Sequence, residues 1–242
     1  MFLQNFKMGS IYNNIVNNTN LVVIDKKVGF TLAEVLITLG IIGVVAALTI
    51  PVVISNYRRY VVGTRLKHFY ATIQVATRQA EYNWGDKDGW DDLYHSYSDT
   101  WFEKYLLPEM AGITSIKPKG FPYYVRYMNN GSAFIWDANS ISFFPYGKDV
   151  EKCKPVTNVL NECLGKKTFQ FLYYIDTGMV AFDYPNHSKN YTPEVWIKLI
   201  NNEQLCTKEP IHQVYGLNSR SYCLKLIQLN NWKVPSDYPL KI

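Results

Sequence analysis

The chain has 242 residues, 48% of them apolar and 19% charged, with a formal net charge of +5. That balance excludes a disordered chain, and the positive charges are too scattered for the basic stripe that nucleic-acid binding needs. The 19 Tyr, 12 Phe and 6 Trp suit a β-rich head with subunit contacts, because Tyr joins apolar area to a polar tip.

Residues 1–25 are polar and rich in Asn, with a weak apolar patch at Leu21 to Ile24, and they resemble no folded element. From Val35 to Ile54 no residue is charged, and only Thr38 and Thr49 carry polar side chains. About 20 such residues rise roughly 30 Å as a helix, the hydrocarbon thickness of a bilayer. Core helices seldom stay apolar on every face for so long, so a membrane span is expected.

Ahead of this run stand Lys26, Lys27, Gly29, Phe30, Thr31, Leu32, Ala33 and Glu34. Basic residues, a Gly and then Phe-Thr-Leu-x-Glu opening an apolar helix resemble the prepilin signal of type IV pilins and type II secretion pseudopilins. Gly43 and Pro51 also fall where pilin helices often carry a Gly and a Pro. The resemblance implies a leader over 1–29, removed by a membrane peptidase that cuts between Gly29 and Phe30. It also implies N-methylation of Phe30 and a retained acid at Glu34. Counted from Met8, the leader has a more usual length.

A carboxylate at the edge of a span costs a few kcal/mol unless it is paired. Cleavage after Gly29 would create a cationic amine at Phe30. Pairing of Glu34 with a neighbouring subunit's amine would set axial register in a filament, a head-to-tail contact that does not close into a ring. The plainer alternative is a Glu34 that snorkels to the headgroups. The prepilin signal puts the N-terminus on the cytoplasmic side. Counting positive charge does not, because Arg58, Arg59, Arg65 and Lys67 follow the span.

Beyond the span, Leu66, Phe69, Tyr70, Ile73, Ala76, Thr77 and Ala80 recur at spacings of three and four, giving one apolar helix face. Gly63 is the one breaker before Trp84, costing about 1 kcal/mol against Ala, and Gly85 suits a C-cap. The expectation is one helix of about 80 Å, with residues 30–54 in the membrane or filament core and 55–84 packed on the head. Pro51 removes a helix hydrogen bond and either kinks the helix or melts it locally.

Residues 85–242 form the expected head. The GDKDGWDD loop, with Asp86, Asp88, Asp91 and Asp92, reads as a solvated acidic turn, because it lacks the spacing of a calcium loop. A short helix is expected between Thr100 and Ala111. Strands follow at Tyr123–Tyr127, Ala133–Asp137 and Ile141–Pro145, then a hairpin of Phe169–Ile175 and Met179–Tyr184 across Asp176-Thr177-Gly178. Glu194–Ile200 is left between strand and short helix. This makes an α+β plan with an antiparallel sheet of four or five strands laid on the helix, as in the pilin fold that the signal implies.

Cys153, Cys163, Cys206 and Cys223 are even in number, and an exported head meets oxidising conditions. Of the three connectivities, Cys153–Cys163 and Cys206–Cys223 are preferred as local pairs. A zinc site is the alternative, without a CxxC pair or clustered His to support it. Cys153–Cys163 would enclose Pro155 and Asn158 as a stapled loop, and Tyr184–Tyr191 reads as a surface loop. The tail from Tyr222, with its Trp-Lys-x-Pro-x-Asp-Tyr-Pro stretch, looks like the end of many Cys-bearing pilin-like proteins.

The sequence holds no GxGxxG, P-loop, HExxH or GxSxG pattern, and His68, His95, His187 and His212 are scattered. No catalysis, metal or cofactor is expected. The resemblance implies a structural subunit of a type II secretion pseudopilus or type IV pilus. It would be single-pass in a bacterial inner membrane, with its head extracytoplasmic, until assembly into a filament. Its partners would be the prepilin peptidase and methyltransferase, other subunits, the inner-membrane assembly platform and membrane lipid. The alternative is a single-pass protein with an extracytoplasmic ligand-binding head and no filament role.

Overall fold

The computed structural model describes residues 29–91, 98–119, 121–153, 162–184, 191–207, 213–214 and 217–242. The leader up to residue 28, Asp92, Pro155, Asn158, residues 185–190 of the expected surface loop, His95, His187 and His212 lie outside them. The chain divides into two compact units, Met1–Ala47 and Leu48–Ile242. Helix α1, Leu32–Trp84, begins in the first and enters the second.

In the first unit, the helix of residues 32–47 leaves its apolar side chains open. Leu36, Ile37, Leu39, Ile41 and Ile42 are each about 60% exposed or more. In the second unit, α1 runs unbroken through Pro51, so local melting is not found there. It ends at Gly85, whose φ of +84° suits a residue without Cβ and whose N–H donates to the Glu81 carbonyl.

The predicted apolar stripe is the buried face of α1. Leu66, Phe69, Ile73, Ala76, Thr77 and Ala80 are buried, and Val62 and Gly63 extend the stripe by one turn. Phe69 sits at its centre, with ring centroids 5.0 Å from Phe134, 4.4 Å from Phe143 and 5.4 Å from Phe171. Aromatic pairs at such separations add about 1 kcal/mol each beyond burial.

The sheet has six antiparallel strands in chain order. They are β1 (Ile113–Ile116), β2 (Val125–Met128), β3 (Ala133–Asp137), β4 (Ser140–Phe144), β5 (Phe169–Tyr174) and β6 (Gly178–Ala181). The expectation of four or five strands missed β1. This strand is short and open to solvent, with Thr114, Ser115 and Ile116 exposed, so it carries no alternating pattern. Its edge position is also why: it pairs only with β2, over Ile113↔Met128 to Ile116↔Val125. The expected hairpin forms, but β6 starts at Gly178, which pairs with Tyr174, and stops at Ala181.

The sheet is covered on both faces. Phe134, Trp136, Ile141, Phe143, Phe171 and Tyr173 join the α1 stripe in one cluster. Val125, Ala133, Ile135 and Phe144 pack with Val150, Cys153 and Cys163 in a second. Leu172 belongs to a third with Trp196, Ile200 and Tyr222. The sheet lies on the helix as expected, and its second face is covered as well: β3 is apolar at both parities, which a strand covered on both sides requires.

Among the described residues the head has three further helices: α2 (Ser98–Tyr105), α3 (Pro193–Asn202) and α4 (Cys223–Leu229). The segment left between strand and helix is α3. Thr192 caps it, accepting from the Val195 N–H at 3.4 Å, and Pro193 occupies the first turn, where its missing N–H costs nothing. Strands β7 (Gln213–Val214) and β8 (Leu217–Asn218) form a separate small pair. Both preferred disulfides are present, Cys153–Cys163 and Cys206–Cys223, with Cα separations of 5.9 and 4.7 Å.

Candidate functional site: the helix head and the tail clasp

The residues singled out at the expected cleavage point open α1. Gly29, Phe30 and Thr31 precede the first helical residue, and Phe30 is 89% exposed. Nothing lies within 4 Å of where a Cβ on Gly29 would stand. The Gly29–Phe30 peptide is thus at the surface of the described structure.

Thr31 and Glu34 bond each other reciprocally. The Thr31 N–H and hydroxyl both donate to Glu34 Oε2 at 2.8 Å, and the Glu34 N–H donates to Thr31 Oγ1 at 3.2 Å. This is a capping box, which satisfies backbone N–H groups that no carbonyl in the first turn can reach. Glu34 therefore has a local partner in its own chain, in addition to any partner in a neighbour. The T-x-x-E spacing of Thr31 and Glu34 ahead of an apolar run is the sequence signal for such a cap, a role separate from the motif they share with prepilins.

Along the helix, Gly40 and Gly43 meet nothing within 4 Å of an added Cβ. Gly63 is different. A Cβ there would stand 2.2 Å from the Trp232 carbonyl oxygen, so the tail crosses the helix at van der Waals limits. Asn231 and Trp232 turn the chain with φ of +59° and +62°. The Trp232 ring then packs 5.1 Å from Tyr70. One turn before Gly63, Arg59 Nη1 donates to the carbonyls of Pro235 and Ser236, both at 2.9 Å. Tyr238 follows, buried, with its hydroxyl donating to the Gly165 carbonyl at 2.6 Å, and burial pushes its pKa up. The tail thus clasps the helix just beyond the apolar run.

Lys104 pairs with Asp91 at 2.6 Å, and that contact lowers the pKa of Asp91 and raises that of Lys104. Lys87 reaches Glu81 at 3.3 Å. Among the described residues no group of three or more His, Cys, Asp or Glu side chains comes together. Buried Arg126, on β2, faces Glu103 of α2 at 3.6 Å and stacks its guanidinium 4.5 Å over the Phe102 ring. It ties α2 to the sheet, and no periodicity in the sequence marks it.

A model of a family of unknown function, DUF6613, matches residues 52–242. The chain belongs to DUF6613. No curated protein and no solved structure matches it. The DUF6613 region opens at Val52, three residues before the apolar run gives way to Ser55, and takes in the buried helix stripe, the sheet and the tail clasp. Both disulfides lie within it.

Proposed function

We propose that this DUF6613 protein is a filament subunit, of a type II secretion pseudopilus or a type IV pilus. It is made as a precursor, cut after Gly29 and methylated on Phe30. The observation that carries this reading is the charge-free helical segment directly behind Gly29-Phe-Thr-Leu-Ala-Glu34, with its apolar side chains uncovered on all sides. Such a segment needs lipid or other copies of itself around it. Before assembly it is a single span of a bacterial inner membrane, with the disulfide-bonded head extracytoplasmic. On assembly the segments pack into a core and Glu34 sets their register. The partners are the prepilin peptidase and methyltransferase, the assembly platform and other subunits.

Intact mass and terminal sequencing of the protein from native membranes test the reading. A chain that begins at N-methyl-Phe30 is the expected result. A chain that still begins at Met1 or Met8, in cells with an active prepilin peptidase, refutes it and favours an uncut, anchored ligand-binding head. Gly29→Ala should be cut and Gly29→Val should not, since the peptidase needs a small residue there.

A further inference from the structure

A groove of about 480 Å³ lies between α1 and the tail, a volume ordinary for a small-ligand site. Its helix wall is one stripe, Asn56, Arg59, Tyr60, Gly63, Thr64 and Lys67. Trp232, Lys233, Val234 and Ser236 are on the opposite side. Three of the lining residues are cationic and none is acidic. Among the described residues no carboxylate forms an ion pair with Arg59, Lys67 or Lys233. The acid next in sequence, Asp237, lines a separate cavity beside Ile200 and Leu205.

The position of the groove names its ligand. Asn56 follows Ile54, the last residue of the apolar run, by two positions. At 1.5 Å per residue, Asn56, Arg59 and Tyr60 stand about 3 to 9 Å beyond that run, the depth of a headgroup layer. Lys67 lies farther out, and helical side chains lean back toward the helix N-terminus, here toward the run. Tyr57 and Tyr60 are 65% and 70% exposed, as aromatic residues at a membrane interface are.

We infer that this groove binds the phosphate of an anionic phospholipid headgroup. Arg59, Lys67 and Lys233 supply charge, and Asn56, Tyr60, Thr64 and Ser236 supply hydrogen bonds. The inference rests on the charge-free run being a membrane span, but not on cleavage or filament assembly. It also gives a use to positive charges that follow the span, which simple counting of charge places on the wrong side.

The test is native mass spectrometry of the full chain in neutral detergent, supplied with phosphatidylglycerol or with phosphatidylcholine of the same acyl chains. Wild type should retain phosphatidylglycerol preferentially. Each basic residue near an anionic surface is worth about fivefold, so Lys67→Gln with Lys233→Gln should cut the preference by up to about 30-fold. Both lysines are exposed, and the tail contacts through Arg59 remain in this variant. Equal retention of the two lipids by wild type overturns the inference, as does an unchanged preference in the double variant. Displacement by millimolar inorganic phosphate would make the groove a free-anion site and overturn the lipid assignment. Carbonate extraction of membranes separates this from the proposed function. A chain that resists extraction yet shows no lipid preference keeps the anchor and loses the site. A lipid-selective chain with an uncut N-terminus keeps the site and loses the filament.

Discussion

Gly63→Ala is the sharpest perturbation of the clasp. On an exposed helix the change should stabilise by about 1 kcal/mol, because Ala is the better helix former. Here the new Cβ would stand 2.2 Å from the Trp232 carbonyl oxygen, where a C···O contact needs about 3.3 Å. The tail must therefore back away by about 1 Å. Overpacking of that size costs about 1–3 kcal/mol, and loosening the Tyr70–Trp232 pair removes about 1 kcal/mol more. The balance is a net loss of about 2 kcal/mol, which for a head of this size lowers Tm by about 4–8 °C. Thermal unfolding of the full chain in detergent, followed by near-ultraviolet circular dichroism, reads this directly. Gly43→Ala, with nothing in its way, is the control and should leave the head's transition in place. A Gly63→Ala head that melts at or above the wild-type temperature would refute the close crossing.

Three other outcomes are expected. Glu34→Ala should remain in the membrane and fail to assemble, whereas Thr31→Val, which weakens the cap by about 1 kcal/mol but keeps the charge, should still form filaments. Electron microscopy of sheared filaments that finds normal filaments with Glu34→Ala would sink the register role. Replacing Cys206 and Cys223 by Ser should lower the free energy of unfolding by about 3 kcal/mol, read by denaturant titration, because the bridge closes a loop with a sequence separation of 17. The Tyr173 hydroxyl, buried against Thr77 Oγ1 at 3.2 Å, has its pKa pushed up to about 12. Its unfolded value is about 10, so the stability it contributes is complete below pH 10 and is lost as pH rises toward 12. Tyr173→Phe should flatten the fall of stability over that window by about one proton in denaturant titrations, and an unchanged slope would count against the burial.

Much of the helix was legible in the sequence, because long-range context adds little to a 3.6-residue period. The stripe from Leu66 to Ala80 is legible from spacing alone, and all of its residues but the half-buried Tyr70 are buried. The Phe169 hairpin and the local Cys pairs were legible for a similar reason: partners close in sequence have few alternatives. What stayed hidden depends on segments far apart. Gly63 looks like a lapse in helix propensity until Trp232, 169 positions later, lies across it. β1 has no alternation because nothing packs on most of its side chains. The second covered face of the sheet follows from Ala133, Ile135 and Phe144, whose apolar character alone does not say what packs on them. The headgroup groove was half visible. Arg58, Arg59, Arg65 and Lys67 stand out as charge on an unexpected side, but only Arg59 and Lys67 line the groove, and its other wall comes from the tail.

The tail clasp also orders events during biosynthesis. A ribosome makes Val62 to Tyr70 early and Trp232 to Leu240 late, so this end of the helix stripe emerges long before the tail that crosses it. Contacts so distant in sequence form slowly, since the loop between them must be closed first. A nascent chain therefore keeps the Gly63 and Tyr70 end of the stripe open after the strands that cover Phe69 have been made. A product truncated before Trp232 would still cover Phe69 with the sheet but would leave the Gly63 and Tyr70 end of the stripe open, exposed to proteases and chaperones.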